Sequence, residues 1–377
     1  MDDPPQGAEA DEPQHARSHK KYERHENPPL NQLPQAGDEQ TAEGRNDIST
    51  RSRSCAHAAN YSPQAATAQA ILRGSEEVGV AFTAGVCLTP SEFMIGLHAH
   101  AEKPAAAEVV RAMVQELDLA GLPYELEAST APLAGKSSSL DIADLAGRCE
   151  LLVIMGGDGT ILRAVQKMRD AIPTVFGINI GTLGFLTCLG SGEVQRAVEC
   201  IRNRDYIVSP RNLMQAELVE KDGAARTFFA LNDVVVSRGE RSQLVQIRVG
   251  LDDLPLTDYN ADGLIVSTPT GSTAYSISAG GPILMPDCGC FVITPICPHV
   301  LSIRSVVMSD ASVIKMQVAK PGQTVTVSVD SQSCGQLGIG DLLVLKKSPR
   351  VLPLAMLPER PFTEVIRQKL KWTGSNI

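Results

Sequence analysis

The chain has 377 residues, a formal net charge of −9 and 43 % hydrophobic residues, enough for two packed domains or for one large domain with tails. Net acidity argues against broad electrostatic binding to nucleic acid or to an anionic membrane, but not against a local basic pocket for a phosphorylated small molecule. No apolar run approaches the roughly 18 residues of a membrane span, and the opening MDDPPQGAEADEPQ lacks the basic and apolar regions of a secretory signal.

The first ~75 residues are rich in Pro, Gln, Glu, Asp, Arg, Ser and His and show no apolar periodicity, so they bury too little surface to offset their ordering entropy. A disordered or non-native extension is expected over 1–93, dispensable for activity. Order is expected from FMIGL, read as a strand. A helix follows, with Val110, Met113, Val114 and Leu117 at helical spacing and Gly121 and Pro123 at its end. YELEA, LLVIM and TVFGI read as further strands, and residues after Gly159 as a helix carrying Ile161, Leu162, Val165 and Met168. Strands alternating with helices predict a doubly wound parallel α/β domain over 94–205.

From about Tyr206 the pattern changes. LNDVVVS, LVQIRVGL, GLIVSTP, FVITPI, VIKMQVA, QTVTVSVD and DLLVLKK are short β-branched runs separated by Gly, Pro and Asp. They predict a β-rich, sandwich-like domain over 206–350, followed by a tail over 351–377 with a short helix from Phe362 to Leu370. The nine cysteines are irregularly spaced and odd in number, which fits reduced thiols in a cytoplasm better than a disulfide framework. Cys288, Cys290, Cys297 and His299 match no standard zinc spacing.

Three stretches carry candidate chemistry. LLVIMGGDGT ends a buried strand in glycines that let a ligand approach the backbone, with Asp158 at the start of a helix whose positive end faces the same place. Asp158 is read as holding a metal–phosphate or taking a proton from a hydroxyl; a plain helix cap is the alternative. LAGKSSS lacks a P-loop's first glycine, Thr130 standing in its place, and follows no strand, so it is rejected as a phosphate loop. GINIGTLGF is either a loop beside the nucleotide or a plain strand–loop connection. In YNADGLIVSTPTGSTAYSISAGGP, Asp262 and a row of hydroxyls flank a strand, and Tyr275 offers a ring face and a hydroxyl. In ALNDVVVSRG, Asn232 and Asp233 can grip a ribose or an adenine edge, or simply start a strand.

GGDGT, LNDVVV, ADGLIVSTPTGSTAYSISAGGP and TPICPHVLSIR, in this order, resemble the NAD kinase family in its bacterial form, from about Met94 to Trp372. GGDG is shared with diacylglycerol- and sphingosine-type lipid kinases and with phosphofructokinases; the DGLIVSTPTGSTAY block is specific. The resemblance implies transfer of a phosphoryl group from ATP, or in some members polyphosphate, to the 2′-hydroxyl of the adenosine ribose of NAD. It makes Asp158 the proton acceptor. It places Asp158, Gly159, Arg163, Asn232, Asp233, Asp262, Thr273, Ala274, Tyr275, Ser276, Ile277, Ser278 and Gln332 at the nucleotides. It implies Mg²⁺ carried on the ATP phosphates and a homodimer or homotetramer. A basic residue often stands two before the DG aspartate in the family; here it is Asn260, which leaves one phosphate contact open. A non-catalytic dinucleotide sensor is the rival from another class, and it would have no need of Asp158.

Overall fold

The structure, a computed structural model, describes residues 93–168, 171–239, 243–300 and 302–372. The extension expected over 1–93 lies outside them, except for Phe93. The first half is built from β1 (Ile95–Ala99), α1 (Ala106–Ala120), β2 (Tyr124–Leu126), α2 (Ile142–Ala146), β3 (Leu151–Gly156), α3 (Asp158–Lys167), β4 (Thr174–Asn179), β5 (Leu189–Gly190) and α4 (Val194–Asn203). α1 forms because Val109, Val110, Met113, Val114 and Leu117 make one apolar stripe, all buried. It stops at Gly121, whose φ of 64° lets its N–H and that of Leu122 turn back to the Asp118 and Leu117 carbonyls. β2, β1, β3 and β4 pair in parallel in that order. Every residue of β3 is buried, as a strand covered by helices on both faces requires.

The second half contains β6 (Ile207–Val219), β7 (Ala225–Ala230), β8 (Asp233–Ser237), β9 (Val245–Leu251), β10 (Leu254–Ala261), β11 (Gly263–Ser267), α5 (Tyr275–Ser278), β12 (Cys290–Ile296), β13 (Val306–Ser309), β14 (Ile314–Val318), β15 (Val325–Val329), β16 (Gln332–Leu337), β17 (Leu342–Met356) and α6 (Phe362–Lys369). One sheet is six-stranded and antiparallel, in the order β13-β12-β11-β8-β15-β16. It packs against β6, β9, β14 and β17 through a shared core that includes Val236, Leu264, Phe291 and Val327 on one side and Met214, Val249, Met316 and Leu345 on the other. The expected sandwich is therefore present.

β17 joins the halves. It begins antiparallel to β14, with Leu345 opposite Ile314, and ends parallel to β4, with Leu354 opposite Val175. Its register against β6 shifts between Lys347 and Val351, around Pro349, which has no N–H to give a ladder. The parallel sheet and one face of the sandwich are thus a single eleven-stranded sheet. α4, which the sequence reading passed over, covers this sheet through Val194, Ala197, Val198 and Ile201.

Candidate active site

Asp158 is not the cap of α3. Gly157 holds that place, and the Thr160 hydroxyl caps it by accepting its N–H at 3.3 Å. Asp158 turns away from the helix instead. Its Oδ2 accepts the Phe185 N–H at 2.8 Å and its Oδ1 the Leu186 N–H at 3.0 Å. Phe185 ends the GINIGTLGF stretch and Leu186 follows it, so that loop is more than a connection: it aims the carboxylate. Gly184 makes the approach possible, because a Cβ there would overlap Asp158 Oδ1. The Gly184 N–H is held by the Thr187 hydroxyl at 2.9 Å. Arg163, one turn along α3, places Nη1 3.9 Å from where a Cβ on Gly159 would stand.

Three other segments meet in a second corner. The Thr268 hydroxyl donates to the Leu231 carbonyl at 2.5 Å, and the Thr268 N–H to the Asn232 carbonyl at 2.9 Å. Gly271 lies so close to Asn232 that a Cβ would run into its backbone. Asp330 completes the corner. Its carboxylate accepts the N–H groups of Leu231 at 2.9 Å, Asn232 at 2.8 Å and Asp233 at 3.1 Å. Its φ of 45° is in the left-handed region, a strain that such a set of bonds offsets. Gln332, exposed, follows two residues later. The two corners are tied together: Gln166 of α3 donates to the Val329 carbonyl at 3.3 Å, and Ile161, Leu186 and Leu231 share one buried cluster.

The TAYSIS residues divide by face. Tyr275 is 46 % exposed, so its ring is free to meet a ligand. Ser278 is exposed, and Thr273, Ala274 and Ile277 are half-buried. Ser276 points inward, fully buried with its hydroxyl 3.0 Å from that of Thr294, and so shapes the turn. Asp262 stands at the opposite end of β11, where it pairs with Arg238 at 3.0 Å. The Ser276–Thr294 contact sets α5 alongside the middle of β11, where Thr294 pairs with Ile265.

Asp233 and Asp330 form a buried like-charge pair. Burial first, and then the Asp330 charge, push the Asp233 carboxyl up to about 7. Burial also raises Asp330, but its three backbone N–H bonds oppose that. Burial therefore favours the protonated form of Asp233. A carboxyl raised on folding stabilises fully below its unfolded value near 3.8, and that contribution is lost as pH rises through about 7. The melting temperature is expected to fall by several degrees between pH 5 and 8 for this reason, and Asp233→Asn to flatten that slope. Parallel thermal melts of the two proteins across this range check it.

Among the described residues, no three His, Cys, Asp or Glu side chains gather into a group able to hold a metal ion. Cys290 begins β12 and Cys297 follows its end, which separates these thiols by roughly 20 Å. Burial pushes the Cys290 thiol up. No helix among them is long and apolar enough to cross a membrane.

The sequence reading missed Asp330, Gly184 and Lys103. Lys103 lies in the turn after β1, and β1 and β3 are parallel neighbours. Their carboxyl ends therefore open at one edge, a relation that sequence order alone does not display.

Comparison with known proteins accords with this geometry. The ATP-NAD kinase N-terminal domain family matches residues 68–206, and the ATP-NAD kinase C-terminal domain family residues 231–357. The NAD kinase of Syntrophotalea carbinolica is 36 % identical over 279 residues, 74 % of this chain and 98 % of that protein. The NAD kinase of Symbiobacterium thermophilum is 37 % identical over 273 residues, covering 72 % and 96 %. Among solved structures, yeast NADH kinase complexed with NADH superposes with a TM-score of 0.70 at 25 % identity, covering 76 % of this chain and 89 % of that one. An NAD kinase from Archaeoglobus fulgidus in complex with ATP shares the fold, with a TM-score of 0.57 at 22 % identity over 75 % and 100 % of the two chains. With both halves matched and nearly the full length of these relatives covered, the chain belongs to the ATP-NAD kinase family.

Proposed function

We propose that this chain transfers the γ-phosphoryl group of ATP to the 2′-hydroxyl of the adenosine ribose of NAD, making NADP and ADP. The observation that carries the reading is that α3, which opens on the GGDG loop, is tied by Gln166 to the corner formed by Asn232, Thr268 and Asp330. Asn232, Asp233, Tyr275 and Gln332 are assigned to the dinucleotide. Asp158 stands ready to accept the proton of the attacking hydroxyl. As the ribose oxygen bonds to the γ-phosphorus, the bond to the oxygen bridging the β- and γ-phosphorus breaks and ADP leaves with that oxygen. The two loop N–H groups on Asp158 fix its orientation without neutralising it. Gly159 and Arg163 lie beside it, on the side of the phosphates. Thr273 to Ser278 are assigned to the nucleotide, with Ser276 acting from behind the turn.

Mg²⁺ is expected as part of the substrate, carried on the ATP phosphates, whose charge it lowers and whose geometry it fixes. Asp262 is assigned to the dinucleotide in a homodimer or homotetramer. Polyphosphate as an alternative donor, a cytoplasmic site, and the division into 94–205, 206–350 and a tail from 351 complete the proposal. The test is incubation of the purified chain with NAD, ATP and Mg²⁺, followed by an enzymatic assay specific for NADP. NADP accumulating with ADP in equal amounts supports the reading. Tight NAD binding without NADP would point to the sensor instead.

A further inference from the structure

We propose that Lys103 is the cation that grips the donor's terminal phosphate during transfer, a role that rests on the phosphoryl-transfer reading above. Lys103 sits between β1 and α1, where the His100 N–H bonds to the Met155 carbonyl at 3.0 Å and so docks this turn beside the GGDG loop. Its half-buried ammonium donates to the Ile180 carbonyl at 3.0 Å. It lies 3.4 Å from the place a Cβ on Gly157 would take. An ammonium has three donors, and this bond uses one. Among the described residues Lys103 makes no ion pair. The nearest loop carboxylate, Asp158, is turned to Phe185 and Leu186.

The consequence is an uncompensated positive charge placed over a glycine. The Asn179 side-chain oxygen stands 3.9 Å from the same Cβ position and closes the far wall. Arg163 flanks the other side of the loop at Gly159. Between the two cations lie the first N–H groups of α3, whose dipole also favours an anion. Charge spreads over the equatorial oxygens of the transferring group, and catalysis of such a step is mainly positioning and neutralisation. A lysine suits this place, because a compact ammonium on a flexible stem can follow a phosphoryl group as it moves. Arg163, exposed on the helix surface, is less constrained and suits phosphates further from the transfer point.

The test compares the full chain with Lys103→Met and Lys103→Arg. Lys103→Met is expected to lower kcat/KM for ATP by about 10²–10³-fold, with KM for NAD moving by less than about threefold. The loss should be the same when GTP replaces ATP, since the lysine meets phosphate and not base. Lys103→Arg should recover at least about a tenth of the parent value, because the charge is kept. Calorimetric titration gives a readout independent of turnover: Mg·ATP binding weakens in Lys103→Met and NAD binding does not. The role is overturned if kcat/KM for ATP stays within about threefold of the parent. It is also overturned if both substrates lose affinity together and arginine rescues nothing, which is the outcome for a mere tether of the Ile180 loop. If the parent makes no NADP, the functional reading fails, and the Mg·ATP titration still decides whether Lys103 binds phosphate.

Discussion

Asp158→Asn is expected to lower kcat by about 10²–10⁴-fold, the usual worth of a positioned general base, while the Kd for NAD changes by less than about threefold. The amide is almost the same size as the carboxylate but cannot take a proton. It also cannot satisfy both loop donors, because one of its two terminal atoms is now an NH₂ facing the N–H of Phe185 or Leu186. The amide will rotate, and the loop donor left behind will seek water. Asp158→Ala removes the acceptor altogether and leaves both N–H groups without their partner, so it should be no more active and less stable. Steady-state turnover and calorimetric NAD titration on both variants separate chemistry from binding. Near-normal turnover in either would remove Asp158 from the role of proton acceptor. A loss confined to KM for NAD would make it a binding residue only.

Much of this site could be read before any coordinates. A run of five apolar residues ending in GGDG placed Asp158 at the carboxyl edge of a sheet, and the block around TPTGSTAYS gave the dinucleotide. What stayed hidden has identifiable physical causes. β6 contains Pro210, Arg211 and Asn212, residues that read as a break, yet β17 on one side and β7 on the other hold it as one long strand. β10 is mostly exposed along its first half, so no alternation marks it. Asp330 reads as the end of a strand; only its positive φ and its three backbone bonds reveal that it builds the Asn232 corner. Ser276 sits in a polar run that suggests a single ligand face. The turn of α5 sends its hydroxyl to Thr294 while Tyr275 goes to solvent. In each case the deciding partner is far away in the chain, and local pattern has no access to it.

Gly184 provides the sharpest test of how Asp158 is aimed. Gly184→Ala is expected to lower kcat by about 10²–10³-fold, although the added methyl touches no substrate, because a misplacement of about 1 Å at the reacting groups costs on the order of 10²-fold. The backbone there is not in the left-handed region, so alanine brings no conformational strain of its own. The difficulty is space: the new Cβ would stand where Asp158 Oδ1 is. Asp158 is too short to swing aside while keeping the N–H groups of Phe185 and Leu186, so either the carboxylate or the loop must give way. Circular dichroism and thermal melts should show a folded protein, since the methyl meets a side chain at the site rather than the core. The decisive comparison is the double variant. If Gly184 acts through Asp158, adding Gly184→Ala to Asp158→Asn should cost less than about threefold further in kcat, because the carboxylate it displaces is already gone. An equal factor in both backgrounds would mean that Gly184 serves the site by some other contact, and that the two loop N–H groups do not aim the proton acceptor.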